Sequence, residues 1–463
     1  MKNNNGKLNL HERQKISNKA RLIKGSVGPL LIKLTIPMIF GIVGMVTFNL
    51  VDTFFVGRLG TNQLAALSFT FPVVLVINSL AMGLGIGTSA VISRAIGEGD
   101  QHRVQRLTTD SLVLALFLVG LLVIIGSSTI TPVFRMLGAK DEILDMVKQY
   151  MSIWYFGMPF VVVPMVGNNA IRATGDTKTP SIIMLTAVAC NFIMDPLLIF
   201  GIGPFPKLGI AGAATATVIS RSVTFIFALS ILHFREKMVS FVKPKLKEVI
   251  QSWKSILYIG LPTASTRVIM PLAIGVITRI VAGYGKEAVA AYGVSSRIEF
   301  FALTVIVALS SVLGPFVGQN WGAGKHDRVT QGVRYSERFS MAWGGAMFAV
   351  LFVCAQPIAR IFNSNPEVIS RIVLYLRVVS IAYGLQGVMI LTVAAMNVLH
   401  RPFHAAGVSI MQMFILYIPL ALLCSHLFGL IGVFIALAIA YGVAGISAHY
   451  ILKKIIAVTA LRN

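Results

Sequence analysis

Apolar runs of about 20 residues recur along the chain, centred on Met45, Leu80, Phe117, Tyr155, Cys190, Ser220, Ile269, Val305, Met347, Val379, Leu416 and Ala440. At a helical rise of about 1.5 Å per residue, each run spans a hydrocarbon layer of about 30 Å. The pattern predicts an all-α polytopic membrane protein with twelve transmembrane helices. The first run, Leu34 to Val56, carries unusual residues for a span: Pro37, Gly41, Gly44, Asn49 and Asp52. A carboxylate inside a bilayer is costly and marks an ion or substrate path by default, so Asp52 is the first functional candidate.

The second half of the chain echoes the first at one constant offset, the 225 residues that separate Pro37 from Pro262. At that offset Gly60 falls on Gly285, Ala65 and Ala66 on Ala290 and Ala291, and Gly97 and Gly99 on Gly322 and Gly324. Arg103 and Val104 fall on Arg328 and Val329, Pro132 on Pro357, Arg135 on Arg360, Glu142 on Glu367, and Tyr150 on Tyr375. The chain therefore reads as two copies of a six-span unit. An even span number starts both copies on the same side of the membrane, which predicts two six-helix lobes related by a pseudo-twofold axis along the membrane normal. The expected organisation is an arm over 1–28, a first lobe over 29–232, a charged linker over 233–254, a second lobe over 255–452 and a tail over 453–463.

Composition sharpens this picture. Hydrophobic residues make up 56% and charged ones 12%, with mean hydropathy +0.80, which excludes an ordinary soluble domain. The formal charge of +23 resides between the apolar runs instead of on one folded face, so no nucleic-acid partner is expected. Basic residues concentrate in alternate connections, and this bias places both termini in the cytoplasm. The first 28 residues are basic and lack a signal-peptide pattern, and they are expected to lie near anionic headgroups. Cys190, Cys354 and Cys424 lie within apolar stretches and indicate neither a disulfide framework nor a metal site.

A second buried acid, Asp195, lies in span 5, and Pro196 follows it. Counted from Pro180 it is about 22 Å deep, in the outer half of the membrane, as is Asp52. Asn191 precedes Asp195 by one turn and Asn49 precedes Asp52 by three residues, so each acid has an amide on its own helix face. Two carboxylates sharing a low-dielectric chamber cannot both ionise cheaply and titrate as a unit. A proton satisfies such a pair, and so does a sodium ion ligated by hard oxygens. The matching positions of the second half hold no acid, Ile277 standing opposite Asp52, so ion chemistry is assigned to the first half. Glu299 in span 8, with Arg297 beside it and Arg279 on span 7, reads as a structural ion pair. Asn168 and Asn169 lie towards the inner end of span 4, and Thr215 and Thr217 lie early in span 6, within reach of the span-5 acid. Gly83, Gly85 and Gly87 follow no strand and signal close helix packing, not a nucleotide loop. No Walker motif is present, which argues against an ATP-driven pump, and neither an enzyme activity nor a cofactor is indicated.

Taken together, NLVDTFFVGRLG, LGTNQLAALSF with its echo YGKEAVAAYGV, IRATGDTKTP, NFIMDPLLIFG, GIAGAATATVIS and FVGQNWGAG resemble the multidrug and toxic compound extrusion family, in its DinF-like bacterial branch. The resemblance implies a two-lobed secondary antiporter that exports structurally varied, often cationic drugs against protons or sodium. It maps a coupling network onto Asp52, Asn168, Asn191, Asp195 and Thr217, with Pro37 as a bending proline of span 1. The NorM-like branch has acids in spans 7 and 10. This chain has none there, and Arg267 stands in the corresponding part of span 7, which favours proton coupling. The expectation is thus a proton-coupled exporter of toxic organic cations in the cytoplasmic membrane, a monomer amid lipids, with H+ or Na+ as its only coupling ligand. A lipid-linked oligosaccharide flippase, kept open by the arginines of spans 7 and 8, and a channel or sensory protein are the alternatives.

Overall fold

A computed structural model of the chain describes residues 20–242 and 244–460. Twelve helices in it are long and apolar enough to cross a membrane. We number them α1 Val27–Gly57, α2 Thr61–Glu98, α3 Gln101–Met136, α4 Asp141–Ala173, α5 Lys178–Phe200, α6 Ile210–Arg235, α7 Leu246–Ala282, α8 Lys286–Gly322, α9 His326–Phe362, α10 Pro366–Val398, α11 Pro402–Phe428 and α12 Leu430–Ala460. Every predicted centre falls inside one of them, and no strand occurs among the described residues. Most helices exceed the length that a bilayer requires, because polar residues continue the helix beyond the apolar run. The expected linker over 233–254 shrinks for this reason: α6 ends in a π-turn at Ile231–Arg235 and α7 already begins at Leu246. Likewise α12 extends through the first part of the expected tail, and 461–463 lie outside the described residues.

The chain divides into two compact units, one over Ile36–Ala264 and one over Leu22–Thr35 and Ser265 onward. Both boundaries fall inside helices, beside Pro37 in α1 and Pro262 in α7. Proline removes one ladder hydrogen bond, so a helix can contribute its two segments to different bodies at such a point. Within the first unit α4 is the central helix, packed against α2, α3 and α6. Within the second, α10 packs against α8, α9 and α12, which is the same pattern six helices on. The sequence repeat is therefore a repeat of packing. Outward faces keep large apolar side chains such as Ile124, Phe117 and Phe71 exposed, as a helix facing hydrocarbon does.

Several motif residues have local structural jobs. Gly60 and Gly285 both have positive φ, 141° and 98°, where their helices begin, and Gly99 and Gly324 both sit in the left-handed region at 77° and 70°. A side chain would be strained there, which accounts for these repeated glycines. In FVGQNWGAG, the Gln319 side chain accepts from the Leu22 amide at 3.0 Å and the Asn320 side chain donates to the Leu22 carbonyl at 3.1 Å. Arg328 donates to the Gly25 carbonyl at 2.8 Å. The end of the expected arm is thus fastened to α8 and α9, while residues 1–19 lie outside the described residues. In IRATGDTKTP, Asp176 accepts from the Thr179 amide at 3.0 Å and the Thr179 hydroxyl at 2.6 Å, and it pairs with Arg235. Burial pushes the Asp176 carboxyl up, but the Thr179 hydrogen bonds and the Arg235 guanidinium together hold it below the ordinary carboxylate value.

The three glycines of α2 mark close approaches. A Cβ on Gly83 would stand 2.4 Å from the Gly260 carbonyl, one on Gly87 2.5 Å from the Ile256 carbonyl, and one on Gly85 2.3 Å from the Asn169 amide. Gly87→Leu forces α2 and α7 apart and is expected to cost about 1–3 kcal/mol, read as a lower melting temperature in detergent. Gly120→Leu, whose Cβ meets nothing within 4 Å, is the control and should melt like the parent. Asp176→Asn should destabilise the protein at neutral pH. A carboxyl held low contributes above its unfolded value of about 4, so the gap between the two melting curves should close only as pH falls below that range.

Candidate functional site

Three helices bring the predicted acids to one depth. Asp52 lies five residues before the end of α1, Asp195 five residues before the end of α5, and Thr217 seven residues after the start of α6. These ends lie on the same side of the fold, so the three groups are about 8–10 Å from it. Asp195 and Asn191 are fully buried, Thr217 is buried and Asp52 is half-buried. The Asn191 amide donates to Asp195 Oδ1 at 3.0 Å, as the one-turn spacing predicts. Asp52 lies within electrostatic reach of Asp195, and the fully enclosed Tyr150 phenol of α4 feels both charges.

The polar atoms left over define the site. Asp52 Oδ1, Asn191 Oδ1, Asp195 Oδ2 and Thr217 Oγ1 are all buried, and none has a hydrogen-bond partner in the protein. Buried polar atoms of native proteins are nearly always paired, so four unpaired oxygens in one layer have the chemistry to take a proton or a small hard cation. No group of three or more His, Cys, Asp or Glu able to hold a metal ion occurs among the described residues.

Three sequence expectations need correction. Asn49 is exposed and makes no side-chain hydrogen bond to Asp52, so the acid–amide pairing is realised on α5 alone. The two share neighbouring rows of α1, but Asn49 is at the exposed edge of that face, while Asp52 is half-buried. Asn168 lies eighteen residues past Tyr150 on α4, about 27 Å along the axis, towards the opposite end of the helix from the acids. Its Oδ1 is buried and unpaired, but it does not join the acid layer, and the neighbouring Asn169 is engaged with the Met165 carbonyl and Arg172. Glu299 is not in an ion pair: its oxygens accept from Tyr375 and Tyr441 hydroxyls, and Arg297 and Arg279 are exposed.

Two residues of the site escaped sequence reasoning. Tyr150 was visible as a repeated position with no role attached. Arg221, in the middle of the apolar α6, lies one turn inward of Thr217, and its guanidinium rests 4.5 Å from the centre of the Phe48 ring. Phe48 itself is one turn inward of Asp52 on α1, so a cationic layer lies directly beneath the acidic one. Arg221 forms no salt bridge, and its buried Nε has no partner. An ionisable side chain in the centre of a span was the available signal.

The family model described as MatE matches the chain twice, over residues 37–197 and 262–423, and the two matches begin at the paired prolines. The chain belongs to the MatE family. It is 38% identical over 434 residues to the FAD transporter of Shewanella oneidensis, covering 94% of this chain and 96% of that protein. It is 26% identical over 433 residues to the multidrug export protein MepA of Staphylococcus haemolyticus, covering 93% and 94%. Among solved structures, the bent form of the Vibrio cholerae MATE transporter VcmN superposes with a TM-score of 0.89 at 30% identity, covering 97% of this chain and 99% of that one. This MatE protein is thus a multi-pass membrane transporter. Since Asn191 donates the hydrogen bond that Asp195 accepts among the described residues, Asn191→Leu should leave that buried carboxylate unpartnered and cost about 1–3 kcal/mol, measured as a loss of thermal stability.

Proposed function

We propose that this MatE protein exports amphiphilic compounds across the cytoplasmic membrane in exchange for protons, with both termini in the cytoplasm. The four buried, unpaired oxygens around Asp52 and Asp195 are the observation that carries the reading. Neither carboxyl has a basic partner among the salt bridges of the described residues, so a proton neutralises the pair most simply. Amide and hydroxyl donors beside it can turn with the protonation state, since a threonine hydroxyl both donates and accepts. Protonation removes charge from the acid layer and lets α1 bend at Pro37, where one ladder bond is already missing and where the unit boundary lies. That bending would expel the bound compound, and release of the proton to the cytoplasm would reset the cycle.

Two relatives carry names that point to different cargo, and one observation bears on the choice. Multidrug export proteins suggest lipophilic cations, which an acid layer attracts without close shape matching. The FAD transporter suggests an anionic dinucleotide, and the Arg221 guanidinium, stacked on Phe48 with its Nε unpartnered, favours that reading. Arginine is suited to phosphate groups because its planar fork donates two parallel hydrogen bonds.

Everted vesicles carrying a proton gradient decide the coupling. Adding an exported compound should dissipate the gradient, and Asp52→Asn should abolish the response. A response to a sodium gradient alone would contradict proton coupling. Ethidium and FAD, added separately, decide the cargo. If FAD is carried, Arg221→Met should weaken its transport about 10-fold or more, the loss expected for one hydrogen bond to a charged group, while an ethidium response would be little changed.

A further inference from the structure

The second unit encloses a carboxylate for which the exchange cycle above has no use. Glu299 lies on α8, about 20 Å from the start of that helix. Its Oε2 accepts from the Tyr375 hydroxyl of α10 at 2.6 Å and its Oε1 from the Tyr441 hydroxyl of α12 at 2.5 Å. Tyr383 of α10 approaches the same carboxylate without reaching hydrogen-bond geometry, and Tyr417 of α11 and Tyr292 of α8 lie within its electrostatic reach. Tyr292 and Tyr375 meet edge to face at 6.1 Å, and Tyr375 and Phe434 at 5.0 Å, so aromatic rings wall the group on several sides.

No basic residue takes part. Among the described residues, no salt bridge involves Glu299, and the arginines nearest in sequence are exposed. Further oxygens stand ready: the buried hydroxyls of Tyr383 and Tyr417 approach Glu299 and Tyr292 respectively without closing a well-formed hydrogen bond, and the fully buried Ser295 hydroxyl one turn before Glu299 has no partner in the protein. An acid, two phenols bound to it and three further hydroxyls form a shell of hard, uncharged oxygens around one negative charge. Glu299 is half-buried, and a charge drawn that far out of water without a counter-charge is costly, which two phenol hydrogen bonds do not offset. A phenol can donate or accept, so the cage can receive a proton by turning a hydroxyl, and its oxygens can ligate a small ion without rearranging their rings.

The geometry points to a second monovalent-cation site, in which Glu299 and the surrounding hydroxyls of Tyr375, Tyr441, Tyr383, Tyr417 and Ser295 hold a proton or a sodium ion in the second lobe. It deepens, and rests on, the cation-coupled reading of the first lobe. The two lobes would then respond to the same ion through unrelated ligand sets: paired aspartates from α1 and α5 in one, and a lone glutamate in a tyrosine cage from α8, α10, α11 and α12 in the other. Tyr150 and Tyr375 are equivalent positions in the repeat, and each faces its own lobe's acid.

Infrared difference spectroscopy of the purified full-length protein tests this without needing the transported compound. Spectra are recorded on a pH step and, separately, on a step from potassium to sodium at fixed pH. The parent should show a carboxyl change that Glu299→Gln removes and the Asp52→Asn/Asp195→Asn double variant keeps. If it appears on the pH step the ligand is a proton, and if it appears on the sodium step the ligand is Na+. Spectra of Glu299→Gln that superimpose on the parent in both steps overturn the proposal. Should Glu299→Gln fail to fold, Tyr441→Phe keeps the carboxyl and must shift its band, and an unshifted band is equally contrary. If the aspartate bands are silent while Glu299 responds, it is the first-lobe reading that fails.

Discussion

A charge inside a helix bundle whose outer faces meet hydrocarbon cannot be left to water. Each lobe of this protein encloses carboxylates in that situation, and neither lobe offers them a basic partner. Asp52 and Asp195 sit on helices whose backbones are largely self-satisfied, apart from the ladder bonds missing at Pro37 and Pro196, so the leftover side-chain oxygens are the groups best placed to answer to an ion. Fold and chemistry are joined at that point. Packing fixes three helices at one depth, and the unpaired oxygens convert that depth into a site.

The arrangement also separates a stiff part from a yielding one. α4 is central and largely buried, with Gly85 of α2 leaving room for its Asn169 side chain, and α10 has the same place in the second unit. Against these, α1 and α7 each change unit at a proline, and α1 carries Asp52 on its far segment. A titratable group on the segment beyond a weakened turn is where a single proton has most mechanical effect. The cationic layer formed by Arg221 over Phe48 lies just inside, so the lobe presents both signs of charge one turn apart.

Much of this was readable from residue order alone. Length and hydropathy of the runs set twelve helices, and the offset of Pro37 from Pro262 revealed the duplication that the packing repeats. The Asn191–Asp195 bond followed from a one-turn spacing, because i,i+4 neighbours share a face whatever the tertiary context. The errors have a common source in contacts between helices. Asn49 is close to Asp52 in number but faces away, and Asn168 shares a helix with Tyr150 yet lies far along it. Glu299 has arginines nearby in sequence, but its partners arrive from α10 and α12, more than seventy residues later. Periodicity gives the face of a helix, and only the assembled lobe says what that face meets.

The central claim is that Asp52 and Asp195 act as one cation-holding unit. A double-mutant cycle on proton release by purified protein tests it most directly, with Asp52→Asn, Asp195→Asn and both together compared on addition of a transported compound. The account predicts that each single substitution removes the release and that the double variant is no worse than either. Two partial losses that add in the double variant would show two independent carboxyls and contradict it.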